Sequence, residues 1–426
     1  MSRHRIVARV ARGVLTGWVL ALSVVQAHAQ TQDDLFDDTR MHEVRLRVNQ
    51  RDWAAMKARS DLDTYYPADF SWNGVTVRNV GIRHRGFGSR SSAKPNIRVD
   101  MNRYISSQDF LGLKAVVLDN LYSDAAMMRD AVATKVFGRM GMPAVRQAHT
   151  RLFVNDQFAG VYTLVEPIDR TFITRVFGEA EGDAERGGVL HEYRWLDEYF
   201  YDYRGPLLAT YAQMFKAQTR DTDAMSRLYA PVEELIRTVN AVPAERFATD
   251  VGRLLDLPAL MRFIGVQNCV GERDGFVGYY GTNNFYLYRF RDGRPAVLLP
   301  WDADNALSLA DIPLDYQHAS SVLVRRALAV PDLRRQYLLA VSECAAILAA
   351  PAAGDPRGWL EREVARLAST IAPDVARDTF ALFDPDEFEA EVAQLLALAR
   401  SRPSYLRCQV ATATDRSLVA GGCKSP

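Results

Sequence analysis

Residues 272–305 read ERDGFVGYYGTNNFYLYRFRDGRPAVLLPWDADN, and this stretch is the most informative part of the sequence about the fold. It begins with an acidic motif around Asp274 and ends with a second acidic motif at Asp302 and Asp304. Between the two motifs, short aromatic and aliphatic runs flank Asp292-Gly293, which is a strong β-hairpin signal. The stretch therefore predicts a β-hairpin that connects two acidic loops.

The first part of the chain is predicted to be mainly β-structure. Met41 to Val48 alternates apolar and polar residues, and Asn73-Gly74 is a turn signal between two further strands. Residues 86–92, GFGSRSS, lie between two of the predicted strands. This part is therefore predicted to be an antiparallel sheet that carries a glycine- and serine-rich loop.

Helical spacing of apolar residues dominates the second half of the chain. An earlier helix is predicted from Ala125 to Met140, with Asp124 as its cap. The helices predicted in the second half are Thr222–Val239, Asp256–Gly271, Leu333–Ala349, Trp359–Ile371 and Asp386–Arg400. We therefore predict an α+β fold, with a β-rich half at residues 30–165, a mainly helical half at residues 166–405 and a polar tail at residues 406–426.

The N-terminus has the pattern of a signal peptide. Four arginines precede a mostly apolar run at residues 14–25, and Ala27-His28-Ala29 is a small-x-small cleavage site. The apolar run is short for a bilayer span, although a retained membrane anchor is the alternative. We expect cleavage after Ala29, export to the periplasm or the exterior, and no stable membrane span in the mature chain.

Charge is balanced over the whole chain but not locally. The chain has 52 Lys plus Arg and 52 Asp plus Glu, a balance that argues against a general nucleic-acid binder. Residues 78–103, called here the basic segment, carry seven basic residues against the single Asp100. Basic side chains beside flexible glycines favour an anionic ligand at this place.

Cysteine usage fits an oxidising compartment. Cys408 and Cys423 are close in sequence and are predicted to form a disulfide. Cys269 lies in an apolar helical pattern, and whether it is a buried free thiol stays open. The sequence has no CxxC and no HExxH motif, so no zinc site is expected.

The two acidic motifs carry the set of side chains that phosphoryl transfer requires. One carboxylate accepts or orients the proton of the attacking hydroxyl, an amide and a second carboxylate hold Mg²⁺, and basic groups hold the phosphates. Asp274, Asn283 or Asn284, and Asp302 follow this order along the chain. Protein kinases place four residues between the first Asp and the Asn, and the gap is longer here.

Several further motifs, taken in order, resemble those of the CotH-type spore-coat protein kinases, a family with an atypical kinase-like fold. The resemblance covers most of the chain from Arg45 to Leu309. The motifs are Arg83-His84-Arg85-Gly86, Ser89-Arg90, Lys94-Pro95, Leu118-Asp119-Asn120, Asp124, Met127-Met128-Arg129-Asp130, residues 155–166, residues 283–288 and residues 300–304.

The resemblance implies a two-lobed atypical protein-kinase-like fold and an exported kinase that transfers the γ-phosphate of ATP to Ser or Thr of a secreted or cell-surface protein. Asp274 would be the base, and Asp302 the principal ligand of Mg²⁺ or Mn²⁺, with Asn284, Asn283 and Asp304 as further ligands. The residues implied to contact ATP are Arg83, Arg85, Ser89, Arg90, Lys94 and Arg98 around the phosphates and Glu166 at the hinge beside the adenine.

The sequence also departs from ordinary kinases. Glu272 stands where those kinases have a His, and Asp302-Ala303-Asp304 stands in place of Asp-Phe-Gly. The predicted helix at residues 125–140 holds no Glu to pair with a phosphate-binding Lys, which leaves the partner open. The main alternative is a non-catalytic nucleotide-binding or structural surface module. A hydrolase that uses the acidic set, and a transferase of another group, are the further alternatives.

Overall fold

The structure is a computed structural model that describes residues 30–86, 88–414 and 423, and every structural statement below concerns these residues. The predicted signal peptide at residues 1–29 lies outside the described residues. Most of the predicted polar tail beyond Thr414 also lies outside them.

The first part of the chain forms a closed seven-stranded barrel. Its strands follow the order β1-β2-β3-β4-β5-β7-β6, and all neighbours are antiparallel except β1 and β6, which are parallel. The strands are β1 His42–Val48, β2 Tyr66–Trp72, β3 Val75–His84, β4 Ile97–Asp100, β5 Ala115–Asp119, β6 Gln147–Val154 and β7 Gln157–Val165. The parallel β1–β6 pair closes the barrel, and the inward-facing apolar side chains form its core.

The Asn73-Gly74 hairpin prediction is confirmed. These two residues join β2 to β3 and have φ angles of +46° and +81°, the left-handed conformation that Asn and Gly adopt most readily. The glycine- and serine-rich loop lies between β3 and β4, as the sequence predicts. Loops at one end of a barrel can place basic side chains around one ligand, so this loop is a candidate part of the site.

The remaining chain is mainly helical, and with the barrel it confirms the α+β prediction. The helices are α1 Gln32–Leu35, α2 Gln50–Ala58, α3 Arg129–Arg139, α4 Arg170–Phe177, α5 Leu208–Met214, α6 Met225–Ala241, α7 Phe247–Gly252, α8 Leu257–Val270, α9 Val322–Leu328, α10 Pro331–Ala349, α11 Trp359–Val375 and α12 Pro385–Thr414, with a 3₁₀ turn at Ala244–Arg246. Within the described residues, none of these helices combines the length and the apolar character that crossing a bilayer needs.

Helix ends follow their sequence signals in one case and shift in two others. Asp256 caps α8 through a 2.9 Å bond from the Ala259 N–H, as predicted, and Gly271 ends the helix in the left-handed conformation. Helix α3 begins four residues later than predicted, at Arg129, because Asp124 accepts bonds from backbone N–H groups and holds the preceding residues as turns. Helix α12 continues to Thr414, so the boundary predicted after residue 405 lies inside a helix.

A second sheet lies within the helical part and is larger than the sequence predicts. Its strands, in the order β11-β10-β8-β9, are β8 Val189–Tyr193, β9 Phe215–Ala217, β10 Phe285–Arg289 and β11 Val297–Pro300. The predicted hairpin is β10 and β11, which is confirmed. Strands β8 and β9 were not predicted, because short buried strands give little periodic signal.

Two disulfides are present in the described residues. The predicted Cys408–Cys423 pair is confirmed. Cys269 is bonded to Cys344, so the interpretation of Cys269 as a free thiol is wrong. Both of these cysteines are fully buried, and their bond joins α8 to α10 directly before the first acidic motif.

Candidate functional site

The β10–β11 hairpin brings the two acidic motifs to one end of the second sheet. Phe285 at the start of β10 pairs with Pro300 at the end of β11, so the flanking loops leave the hairpin side by side. We call residues 272–284 the first acidic loop and residues 301–305 the second acidic loop. Asn284 and Asp302, one in each loop, have φ angles of +53° and +54°, which are uncommon for residues other than glycine. Such local strain recurs at functional sites.

Asp274 of the first acidic loop is held by two amides. Asn283 and Asn284 donate from Nδ2 to Asp274 Oδ2 over 3.2 Å and 3.3 Å, and Asn284 Nδ2 also donates to the Asp274 carbonyl over 3.0 Å. The other oxygen, Asp274 Oδ1, is buried and has no hydrogen-bond partner among the described residues. Burial raises the pKa of Asp274, while the two amide bonds lower it. Asp274 therefore has one fixed oxygen and one that can accept a proton.

Glu272, which stands in place of the kinase His, is a buried support for this turn. Its Oε1 accepts the Asp274 backbone N–H over 2.7 Å, while Oε2 has no partner within the described chain. Burial and the nearby charges of Asp304, Asp274 and Asp130 raise the pKa of Glu272 well above its ordinary value. Glu272 therefore orients the loop through its bond to the Asp274 backbone.

Arg402 of α12 fixes the chain on either side of the acidic loops. It is fully buried and donates to the carbonyls of Asn268 and Cys269, which end α8, over 2.5 Å and 3.1 Å. It also donates to the carbonyls of Ala310 and Ile312 over 2.9 Å and 2.8 Å. Burial lowers the pKa of Arg402 to about 10. Arg402 therefore ties the carbonyl end of α8 to the chain that follows the second acidic loop.

Carboxylates crowd a small cavity beside the second acidic loop. The cavity has a volume of about 20 Å³, the size of one water molecule, and its acidic lining consists of Asp119, Asp124, Asp130, Asp302 and Asp304. Asp130 of α3 accepts the Ala303 N–H over 2.8 Å, which ties α3 to the second acidic loop. The sequence stretches containing Asp119 and Asp130 carry the family resemblance, but sequence reasoning did not place either residue in the site.

These carboxylates repel one another. The Asp302 residue keeps exposed surface, but the surrounding protein displaces much of the water around its carboxylate. This loss of hydration and the negative charges of Asp304 and Asp130 raise the pKa of Asp302 well above its ordinary value. Burial and the charges of Asp130 and Asp119 raise the pKa of Asp304 to about 7. A cation bound here would relieve the repulsion between these groups.

The arrangement suits a cation that takes only a few protein ligands. In the part of the chain that the structure describes, no three His, Cys, Asp or Glu side chains are placed to hold a metal ion by themselves. Mg²⁺ in phosphate-binding sites usually takes one or two carboxylates and completes its shell with phosphate oxygens and water. Asp302 has a carboxylate and Asn284 an amide oxygen, both of which are ligand types that Mg²⁺ accepts, and the Asn284 Nδ2 binds Asp274.

Three arginines of the basic segment already have carboxylate partners. Arg83 and Arg90 both pair with Asp63, and Arg98 donates to Asp100 over 2.8 Å. Their predicted contacts with phosphate therefore compete with partners in the protein.

Arg85 contacts the second acidic loop. Its guanidinium is 4.7 Å from the ring centroid of Trp301, and its charge lowers the pKa of Asp302 against the effects that raise it. Arg85 therefore contacts the second acidic loop from the barrel side, as Asp119 of β5 borders the cavity that Asp302 and Asp304 line.

Ser89 and Lys94 are held by two buried asparagines. Asn96 donates to Ser89 Oγ over 3.3 Å and to Asp119 over 2.9 Å, and Asn120 donates to the carbonyls of Ser89 and Lys94 over 3.0 Å and 2.8 Å. The glycine- and serine-rich loop is thus fixed next to Asp119, on the border of the acidic cavity.

Glu166 is buried and is paired with two partly exposed arginines. Its carboxylate accepts bonds from Arg146 over 2.7 Å and from Arg175 over 2.6 Å, and its backbone N–H donates to the Arg146 carbonyl. Its backbone donor is therefore already in use, and its predicted role at an adenine stays a prediction.

The chain is similar to a described protein family and to a spore coat protein. A family model described as CotH kinase protein matches residues 82–406, which include most of the barrel, both acidic loops and the greater part of α12. Inner spore coat protein H of Bacillus subtilis (strain 168) is 20% identical over 375 residues, a match that covers 85% of this chain and 95% of that protein.

Proposed function

This chain belongs to the CotH kinase protein family, and from that premise we propose that it is a phosphotransferase that moves the γ-phosphate of ATP to a Ser or Thr hydroxyl of a protein. The observation that carries the proposal is the pairing of two unlike acidic loops at one end of one hairpin. One loop presents Asp274 Oδ1, which has no hydrogen-bond partner among the described residues, and the other presents carboxylates whose charges raise the pKa of Asp302. Phosphoryl transfer needs these two features together.

We propose a two-lobed, kinase-like arrangement as the frame for this chemistry. The barrel, with its glycine- and serine-rich loop, would cover the nucleotide phosphates. The second sheet and the helices would carry the acidic loops and present the acceptor. Arg85 on Trp301 supports the closeness of the two parts at this point.

In this proposal Asp302 and the amide oxygen of Asn284 would hold Mg²⁺ or Mn²⁺. The bound cation would neutralise charge on the phosphates and so favour attack by an oxygen nucleophile. Asp304 and Asp130 would add negative charge around the ion, and their raised pKa values support a need for such a cation.

Asp274 would act on the acceptor. Its Oδ1 would accept the proton of a Ser or Thr hydroxyl on the acceptor. The hydroxyl oxygen would attack the γ-phosphorus at the same time, and ADP would leave. The amides of Asn283 and Asn284 hold the other oxygen, so the direction of Oδ1 is set before the acceptor binds. Preorganisation of this kind lowers the cost of reaching the reactive geometry.

We also propose that the protein works outside the cytoplasm. The predicted signal peptide supports export, and two disulfides are typical of oxidising compartments. The similarity to an inner spore coat protein supports a coat or extracellular location.

The test is transfer of labelled phosphate by the purified full-length protein. We expect γ-labelled ATP with Mg²⁺ or Mn²⁺ to label Ser or Thr of the protein itself or of an added protein acceptor, and mass spectrometry to show the mass of a phosphoryl group. Nucleotide binding by calorimetry without any transfer would contradict the enzyme and favour the non-catalytic module. A different added mass would favour another group transfer.

A further inference from the structure

The pairing partner of Lys94, which the sequence leaves open, is visible in the structure. Lys94 Nζ lies 2.9 Å from Asp378 Oδ2, and the two side chains are 1% and 0% exposed. Asp378 follows α11, and the two residues are 284 positions apart in the sequence. We propose that Asp378 is the positioning residue that holds Lys94 as the phosphate-binding cation, the role for which protein kinases use a helix Glu.

Asp378 is itself fixed by the barrel. Its Oδ2 also accepts the Val161 N–H of β7 over 2.8 Å, and its Oδ1 accepts the Phe380 N–H over 2.9 Å. A Cβ atom at Gly160 would lie 2.6 Å from Asp378 Oδ2, closer than real contacts allow. Strand β7 therefore leaves space for this carboxylate, and the connection between α11 and α12 inserts it there.

Lys94 is fixed from the other side. Asn120 holds its carbonyl, and Ser91 Oγ accepts its backbone N–H over 3.2 Å. The ammonium lies 5.2 Å from the ring centroid of Tyr162, within the range of a cation–π contact. Lys94 lies just after the glycine- and serine-rich loop. These contacts hold both its backbone and its ammonium group in place.

The pair lies next to the acidic cavity. The charge of Asp119, which lines that cavity, acts on Lys94 in the same direction as Asp378. Burial lowers the pKa of Lys94, and the two carboxylates oppose this effect. Asp378 therefore holds the Lys94 side chain beside the place where the phosphates of ATP would lie.

Stability by itself gives no reason for this pair. Apolar residues of similar volume often replace a buried ion pair without loss of stability. Phosphate binding, in contrast, needs a cation held at one point, since a Lys is a point charge on a flexible stem. The α11–α12 connection would then contribute to the nucleotide site that the barrel loop covers.

The test rests on the proposed function and uses the full-length protein with Mg²⁺ and ATP. Asp378→Asn keeps the size of the side chain and one acceptor oxygen for either the Val161 or the Phe380 N–H, and it removes the charge. We expect the KM for ATP, and the Kd of a non-hydrolysable ATP analogue measured by calorimetry, to rise about 10- to 100-fold, as for other residues that orient a ligand-binding group. The KM for the protein acceptor should stay within about twofold of the wild-type value.

Asp374→Asn is the matched control. Asp374 is 2% exposed, lies near the end of α11 and pairs with Arg151 of the barrel over 2.8 Å, but it has no contact with Lys94. This variant should lower the Tm and leave the KM for ATP unchanged. A double variant, Lys94→Met with Asp378→Asn, should regain Tm relative to Asp378→Asn without regaining nucleotide affinity.

The outcomes separate this inference from the proposed function. If the wild-type protein binds and uses ATP and Asp378→Asn does so equally well, the inference is overturned alone. Recovery of nucleotide affinity together with Tm in the double variant would also overturn it, because the pair would then be structural only. A wild-type protein that binds no nucleotide overturns the proposed function and this inference with it.

Discussion

The basic segment and the two acidic loops differ in how their charges are satisfied. In the basic segment, Arg83 and Arg90 share Asp63, and Arg98 has Asp100. In the acidic loops, Asp274 and Glu272 each keep a buried oxygen without a partner in the described chain, and the neighbouring carboxylates raise one another's pKa. Clustered carboxylates with raised pKa values are typical of functional sites, so the acidic loops are the side on which we look for a ligand. The arginine–carboxylate pairs of the basic segment, in contrast, hold the scaffold.

The largest effect should come from Asp302→Asn. If Asp302 holds the cation, phosphate transfer should fall on the order of 10³-fold or more, since the charge on the phosphates is no longer neutralised. The same change removes repulsion from Asp304 and Asp130, so the Tm should stay or rise. Labelled-phosphate transfer and a thermal melt at neutral pH measure the two quantities.

Asp100→Asn is the matching change in the basic segment. Asp100 is 9% exposed and accepts a 2.8 Å bond from Arg98. We expect the free energy of unfolding to fall by about 1–3 kcal/mol and transfer to stay within a few-fold of the wild-type rate. If Asp100→Asn abolishes transfer while Asp302→Asn only destabilises, the contrast between the two regions is wrong.

Asp274→Asn should have the next largest effect. Loss of a general base lowers the rate on the order of 10²- to 10⁴-fold, and here kcat should fall while the KM for ATP changes little. Asn283→Ala is the control, because it removes one of two amides that hold Asp274 Oδ2. Its effect on kcat should be much smaller, and equal losses in the two variants would contradict a base role.

The crowded carboxylates also predict a pH dependence of stability. The pKa of Asp304 is about 7 in the folded protein against 3.8 ordinarily, so the folded state binds the extra proton between these values. The free energy of unfolding should therefore fall as pH rises from 4 towards 7, by at most about 1.4 kcal/mol per pH unit from this carboxyl. Denaturant melts across this range measure the slope.

Addition of Mg²⁺ tests whether the Asp304 carboxylate lies close to a bound cation. Saturating Mg²⁺ should reduce the Asp304 part of the slope, because the cation favours the ionised form, and Asp304→Asn should remove it. Asp169, the cap of α4, provides the comparison, since burial raises its pKa to about 6 away from the acidic loops. Its part of the slope should not respond to Mg²⁺. A slope that Asp304→Asn leaves intact would contradict the assignment.

The smallest effect should come from Arg83→Gln. Its partner Asp63 is 63% exposed, and an ion pair with one exposed member contributes about 1 kcal/mol or less to stability. If Arg83 serves mainly as a partner of Asp63, the KM for ATP should change less than about threefold. A tenfold or larger rise in KM would show that Arg83 also binds phosphate, which would weaken the contrast between the regions.

Local features could be predicted from the sequence, and long-range ones could not. The Asn73-Gly74 turn, the β10–β11 hairpin and the α8 cap each depend on a few adjacent residues. Closure of the barrel by β1 and β6, and the addition of β8 to β10, depend on pairings between distant segments.

The same limit applies to the site. Asp274, Asn284 and Asp302 could be found from the sequence, because only one hairpin lies between Asn284 and Asp302. The role of Asp378 could not be predicted from the sequence, since its position beside Lys94 is set only when α11 and α12 pack on the barrel. The role of Arg402 could not be predicted either, because its partners are backbone carbonyls, which have no sequence identity.

The buried Cys269–Cys344 bond has a consequence for how the molecule matures. Both sulfurs are shielded once α8 and α10 have packed, so an oxidant or an oxidoreductase must reach the thiols while the helices are still apart. Cys408 and Cys423 keep partial exposure and can be oxidised later. Protein that is made in a reducing cytosol and exposed to air after purification should therefore close the second bond while the first stays as two protected thiols.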